Sequence, residues 1–197
     1  MINRGSLQSC LLAAAFVLVT LSCPPPVTGF QARDYFTPQE EELVREAQIL
    51  DKRIDVFIKA VERRLLVLNG GAAAAEKQLK KDAEKWGELP TGTRAELMVD
   101  IARIFDAGIS NIDDVNAKDE TNPLVPKALR KLAAAATQTV ERLRPLQAQT
   151  KDDAETMGFE QLVRHADEIV EAAGALPPPA EKKPKGKNKT EKPKETN

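Results

Sequence analysis

Cysteine and histidine are scarce in this chain of 197 residues, which has two cysteines and one histidine. Cys10 and Cys23 both lie near the amino terminus, so residues 24–197 contain no thiol. This excludes a disulfide framework, a cysteine-based metal site and a thiol nucleophile from that region. A di-iron bundle is also excluded, because its Glu-x-x-His pairs need two histidines and Leu162 lies three residues before His165. We therefore expect no cofactor and no metal.

Aromatic residues make up only 4% of the sequence, and no stretch shows sustained alternation of β-branched residues. A β-sheet is therefore not expected. The sequence also lacks a G-x-S-x-G motif, a P-loop and a serine–histidine or serine–lysine motif, so nothing supports nucleophilic or phosphoryl-transfer chemistry. His165 is expected on the solvent side or edge of a helix, as a surface residue without a functional task. We predict that the protein is not an enzyme.

The first 32 residues have the pattern of a bacterial-type secretory signal. Arg4 gives the start a positive charge, residues 11–21 form an apolar run, and a run of prolines follows Cys23. The apolar run is shorter than the roughly 20 residues that a transmembrane helix needs. We predict a signal peptide over residues 1–29, with a cut after residue 32 as an alternative, and export to the periplasm or the medium.

Cys23 offers a second interpretation of the same segment. It directly follows the apolar run, and cleavage before it with lipid attachment would anchor the protein without spanning the membrane. However, the preceding Thr20-Leu21-Ser22 departs from the usual lipobox. We favour a free exported protein and keep a lipid-anchored envelope protein as the alternative.

The carboxyl-terminal residues 177–197 contain no leucine, isoleucine, valine or aromatic residue and are rich in lysine and proline. Such a segment buries too little apolar surface to offset its ordering entropy, so we predict a disordered tail. Its seven lysines and three glutamates give a net charge of +4. Nucleic acid is not an expected partner, because no aromatic residue is available to stack on bases. The tail is interpreted either as a soluble spacer that discourages association or as a contact for an anionic surface. The candidate contacts for an anionic surface are Lys182, Lys183, Lys185, Lys187, Lys189, Lys192 and Lys194.

Between signal and tail, a lead-in over residues 30–36 precedes a helical region over residues 37–176. Thr37-Pro38-Gln39-Glu40 and Thr93-Arg94-Ala95-Glu96 are capping boxes, each followed by apolar residues at spacings of three and four. We predict helices over about 37–68, 72–86, 93–115, 122–146 and 159–173, with a kink or an end at Pro145.

These helices predict an all-α fold, an antiparallel helical bundle of four to five helices of which two are long. Short connections favour antiparallel neighbours. A long apolar stripe can also pair between two chains as in a coiled coil, so a homodimer is an open alternative.

Three acidic clusters invite a cation-binding interpretation: Glu40–Glu42, Asp113–Asp114 and Asp152–Asp153. The first begins a helix, where carboxylates favourably meet the helix dipole. The second lacks the D-x-D-x-D-G spacing of a calcium loop. We expect all three to serve as helix caps or solvated faces.

The sequence is therefore interpreted as an exported, non-enzymatic helical protein with a structural or protein-interaction role in the bacterial cell envelope. Its expected partner is a protein or an envelope polymer, met by an uncovered part of an apolar stripe. The alternative is a small-molecule-binding or sensory bundle in the periplasm, which would need an internal cavity with convergent polar groups.

Overall fold

Six α-helices and no strand form the described part of the protein, residues 33–70, 76–150 and 152–178 of a computed structural model. The predicted all-α fold is confirmed. No described helix is long and apolar enough to cross a membrane. The proposed signal peptide with Cys10 and Cys23, and the tail lysines, lie outside the described residues. The helices are α1 (Pro38–Glu46), α2 (Leu50–Leu68), α3 (Glu76–Trp86), α4 (Arg94–Lys118), α5 (Leu124–Gln147) and α6 (Asp153–Gly174).

Both predicted capping boxes are present. The backbone N–H of Glu40 donates to Thr37 Oγ1 over 3.3 Å, and the N–H of Thr37 donates to Glu40 Oε2 over 3.0 Å. At the start of α4, Glu96 donates to Thr93 Oγ1 over 3.2 Å and Thr93 donates to Glu96 Oε2 over 2.7 Å. Each pair satisfies two backbone donors that a helix start leaves without a partner.

The predicted long helix over residues 37–68 is in fact two helices. The apolar spacing continues through Leu43, Ala47 and Leu50, which is why it indicated one helix. The structure ends α1 at Glu46 and resumes with Leu50 after an extended residue, Ile49. The carbonyl of Ala47, freed by the break, accepts a hydrogen bond from Arg53 Nε over 2.9 Å. The Ala47 carbonyl therefore has a hydrogen-bond donor although the helix is interrupted there.

Two other predicted boundaries also shift. Helix α6 begins six residues before the predicted start, because Asp152 Oδ1 accepts hydrogen bonds from the N–H groups of Ala154 and Glu155 at 2.7 and 3.2 Å. Its first turn is mostly exposed and therefore has no apolar stripe. Helix α5 continues past Pro145 and ends at Gln147, so the proline lies in the last turn.

Helices α2, α4, α5 and α6 form a four-helix bundle in which each helix runs opposite to the one before it. The α2–α4 pair is antiparallel, since Phe57 lies near Gly108 and Arg64 near Asp100. Around the bundle the order is α2, α4, α6, α5, and the described residues of α2 and α6 make no contact. Consequently α4 and α5 face each other across the diagonal, and the neighbouring pairs α4–α6 and α2–α5 are parallel.

Gly108 makes the diagonal approach of α4 and α5 close. A Cβ atom built on this residue would lie 3.0 Å from Leu132 Cδ2, tighter than ordinary van der Waals contact. The buried apolar side chains of all four helices belong to one cluster. Its fully buried members include Ile54, Phe57, Leu97, Ile101, Ile104, Phe105, Leu132, Leu143 and Leu162. Apolar residues at spacings of three and four are therefore mostly buried, although Val170, which continues this spacing on α6, is exposed.

Ion pairs join α2 and α5 along their solvent edge. Lys131 Nζ lies 2.8 Å from both Asp51 Oδ1 and Asp55 Oδ1, and Lys127 Nζ lies 2.9 Å from Asp51 Oδ2. Hydrogen bonds from Lys131 and then Lys127 lower the pKa of Asp51. Burial opposes the charge on Lys131, but hydrogen bonds to Asp51 and Asp55 outweigh it and raise the pKa of Lys131. Both shifts favour the paired, charged forms in the folded state.

Truncating a buried isoleucine side chain should destabilise the bundle strongly. Ile101 is 0% exposed, and Ile101→Ala should lower the free energy of unfolding by about 2–5 kcal/mol because it leaves a cavity. The matched control is Ile49→Ala, at a residue that is 56% exposed, with an expected change within about 0.5 kcal/mol. Urea unfolding followed by circular dichroism measures both. Equal losses of stability in the two variants would contradict the assignment of Ile101 to the core and Ile49 to the surface.

The lowered pKa of Asp51 predicts a component of acid-dependent stability. Its contribution should be fully present above the ordinary value of 3.8 and lost as the pH falls through the lower folded value. Urea unfolding between about pH 6 and about pH 2 should therefore show a shallower fall for Asp51→Asn than for the unmodified protein. Lys131→Met removes the main partner and should flatten the same region. An unchanged pH profile in both variants would show that these ion pairs add nothing.

Candidate functional site

Four charged side chains are buried between α2 and its two neighbours α1 and α4. They are Glu40, Arg63, Arg64 and Asp100, and Glu40 has no exposed surface at all. Charged residues are almost never fully buried unless they are paired. We call these four residues the buried charge cluster. It is the most unusual polar feature of the described structure, and so it is the candidate functional site.

Glu40 lies at the centre of the buried charge cluster. Its Oε1 accepts hydrogen bonds from Arg63 Nε at 3.0 Å and from Arg64 Nη1 at 3.1 Å. Its Oε2 accepts from Arg64 Nη2 at 2.9 Å and from the backbone N–H of Thr37 at 3.0 Å. Arg64 therefore binds the Glu40 carboxylate through two nitrogens, a geometry in which charge-assisted hydrogen bonds are strong.

The remaining donors of Arg64 face protein atoms. Its Nη1 also donates to the Ala60 carbonyl over 2.8 Å, and its Nη2 donates to the Tyr35 carbonyl. Its Nε lies 3.9 Å from Asp100 Oδ2, within ion-pair distance but without a hydrogen bond. Arg64 thus connects the lead-in, α1 and α4 to α2.

Arg63 connects α2 to the turn that follows α3. Its Nη2 donates to the carbonyls of Gly87, at 3.3 Å, and of Glu88. Its guanidinium carbon lies 5.8 Å from the ring centre of Trp86, a cation–π distance. Gly87 has φ +64°, a left-handed conformation that suits glycine and turns the chain at this point. The two arginines therefore fix α1 and the end of α3 against the bundle.

This geometry favours a structural role for the buried charge cluster. Its carboxylate and most guanidinium donors are directed at one another or at backbone carbonyls rather than at an open space. A ligand site instead needs polar groups that converge on a cavity. The cluster is therefore suited to specify where α1 and the Gly87 turn lie.

Glu40 caps α1 as predicted, and Glu41 and Glu42 are exposed. The burial of the Glu40 side chain between two arginines was not predicted. A usable signal was present in α2. Strict alternation of four and three places Arg64 on the apolar line between Val61 and Leu68, as the series Leu50, Ile54, Phe57, Val61, Arg64, Leu68 shows. Leu65, which is also buried, continues the apolar line equally well, so the spacing alone does not single out Arg64.

The other acidic candidates do not form a metal centre. Asp113 and Asp114 are exposed on α4, and Asp152 caps α6. Within the described ranges, no group of three or more histidine, cysteine, aspartate or glutamate residues could hold a metal ion.

His165 is partly exposed, in agreement with the predicted helix edge. Its Nδ1 lies 3.5 Å from Glu168 Oε2. It lines a depression of about 60 Å³ between α4 and α6 with Phe105, Asp106 and Ile109. This space is small for a substrate, since ligand pockets usually have several hundred Å³.

A larger space of about 340 Å³ lies between the carboxyl end of α5 and helix α6. It is a surface groove, because only Phe159 among its lining residues is buried. The lining residues are Gln147, Phe159, Glu160, Val163, Arg164 and Asp167.

Comparison with known proteins gives no relative to argue from. No family model, no curated protein and no solved structure matches this chain.

Neutralising Glu40 should destabilise the protein far more than neutralising its neighbour. Glu40→Gln removes the charge of the carboxylate that binds both buried guanidiniums, leaves Asp100 as the remaining carboxylate of the buried charge cluster, and should lower the free energy of unfolding by about 3–5 kcal/mol. Glu41→Gln, on the exposed side of the same helical turn, should cost at most about 1 kcal/mol. Urea unfolding measures both, and Trp86 fluorescence reports the neighbourhood of Arg63. A similar small loss in both variants would show that water reaches the cluster.

Proposed function

We propose that this is an exported, non-enzymatic helical protein with a structural or protein-interaction role in the bacterial cell envelope. One observation carries the proposal: the buried polar side chains bond to one another and to backbone carbonyls, and so serve to position helices. Glu40, Arg63 and Arg64 illustrate this, since their hydrogen bonds end on protein atoms. Export is supported by the charged start and apolar run of the first 29 residues.

The outer surfaces of the bundle would meet the partner. Three large apolar side chains are exposed in the described structure: Ile49, Met157 and Val170. Met157, at 69% exposure, and Val170 are 13 residues apart on α6, so about 20 Å of helix separates them. They offer separate contacts, and a partner would also have to fit the charged surface between them.

The basic tail would supply a second contact. Its seven lysines suit an anionic envelope polymer, a lipid headgroup surface or an acidic protein. Such attraction weakens as ionic strength rises, because mobile ions screen exposed charges within about 10 Å at 0.1 M salt.

Cell fractionation combined with site-specific photocrosslinking tests this function. A photoreactive amino acid would replace Met157 on α6, and the control would replace Thr137, which is exposed on α5. We expect the protein in the periplasmic or envelope fraction and a discrete adduct from position 157 that position 137 does not give.

Each other outcome has a defined meaning. A cytoplasmic location would contradict export. An adduct of twice the chain mass would identify a second copy as the partner. Absence of an adduct together with a co-purifying small molecule would favour the ligand-binding alternative over the proposed role.

A further inference from the structure

The outward side of α6 is an exposed acidic surface, part of which borders the groove beside the carboxyl end of α5. The buried residues of α6 are Gly158, Phe159, Leu162, Ala166 and Ile169, which face α4 and α5. On the opposite side, spacings of three, four and seven align seven exposed residues. We call them the acidic face: Asp153, Met157, Glu160, Arg164, Asp167, Glu168 and Glu171.

The charges of this helix are unbalanced. Between Asp153 and Gly174 the sequence has six carboxylates and one arginine. Glu160, Asp167 and Glu171 have no ion-pair partner within the described ranges. The last turn also has no basic residue, although the partial negative charge of a helix carboxyl end favours cations. The acidic face therefore attracts positive charge along its length and most strongly near its end.

The lysine-rich tail starts at that same end. Arg130 on α5 donates a hydrogen bond to the Pro177 carbonyl, which fixes the point where the chain leaves the bundle. Lys182 follows five residues later, and six further lysines extend to Lys194. No apolar residue larger than proline interrupts this run.

The lengths are compatible. Helix α6 has 22 residues and is about 33 Å long at 1.5 Å per residue. An extended polyproline-like chain rises about 3.1 Å per residue, so the 16 residues from 179 to 194 cover about 50 Å. Returning along α6, the tail can place lysines beside every carboxylate of the acidic face.

Covalent attachment compensates for the weakness of each contact. A single exposed ion pair contributes little, because water and salt screen it. However, a short tether gives a local concentration in the millimolar range, and several lysines can contact several carboxylates in turn. Arg164 opposes the contact locally, but five carboxylates surround it on the same face.

We propose that the segment from Lys182 to Lys194 lies along the acidic face of α6. An anionic partner of the tail must then compete with α6 for the lysines, so the contact limits tail binding to strongly charged partners. This inference does not depend on export or on an envelope partner, since it concerns two parts of one chain.

Paramagnetic broadening in the purified protein tests the contact. A spin label would be attached at Thr190→Cys, in a background with Cys10 and Cys23 replaced by serine, and amide signals would be recorded by NMR. We expect loss of signal intensity concentrated in α6 around Glu160 to Glu171. The loss should disappear at about 1 M salt, where the screening length falls to about 3 Å. Mixing spin-labelled protein with isotope-labelled, unmodified protein separates contacts within one chain from contacts between chains.

Two triple variants make the test specific. Glu160→Gln/Asp167→Asn/Glu171→Gln should abolish the broadening of α6. The control, Asp106→Asn/Asp113→Asn/Asp114→Asn, removes the same number of exposed carboxylates from α4 and should leave it unchanged. Broadening spread evenly over the bundle, broadening that survives the α6 variant, or broadening seen only between chains would each overturn the proposal.

Discussion

The burial of Glu40 between two arginines is the constraint on which this end of the protein depends. Removing a carboxylate from water costs several kcal/mol, and two guanidiniums repay that only if their other donors are also satisfied. The backbone acceptors come from three separate parts of the chain: Tyr35, Ala60, and the turn that contains Gly87 and Glu88. Most donors of the cluster therefore find acceptors only when the lead-in, α1 and the turn after α3 are all in place, and Asp100 of α4 adds a counter-charge within ion-pair distance of Arg64.

This constraint also accounts for the break between α1 and α2. In one continuous helix, Glu40 and Arg64 would be about 36 Å apart, because 24 residues rise 1.5 Å each. Their contact requires α1 to fold back along α2. The extended residue Ile49 provides the reversal, and the Ala47 carbonyl finds a donor in Arg53. The helix is thus interrupted locally, and this interruption allows Glu40 and Arg64 to form a buried, hydrogen-bonded ion pair.

Charge is distributed differently over the rest of the molecule. In the bundle core the contacts are apolar, and Gly108 allows α4 and α5 to meet across the diagonal. Ion pairs at Asp51 and Lys131 join α2 to α5 at the solvent edge. Helix α6 instead keeps its outward carboxylates exposed while the most basic segment of the chain follows it. The surface, rather than a cavity, is therefore where recognition is proposed.

Local patterns in the sequence determined most of the helices, their caps at Thr37 and Thr93, and most of their core faces, because each depends on residues within a few turns. Tertiary structure alone decided the rest. The pairing of Glu40 with Arg64 and the parallel neighbours α4–α6 both join residues far apart in sequence. A capping glutamate has the same local sequence pattern whether its carboxylate is otherwise solvated or hydrogen-bonded to an arginine. Only the fold-back of α1, driven by the cost of leaving those charges unpaired, distinguishes the two.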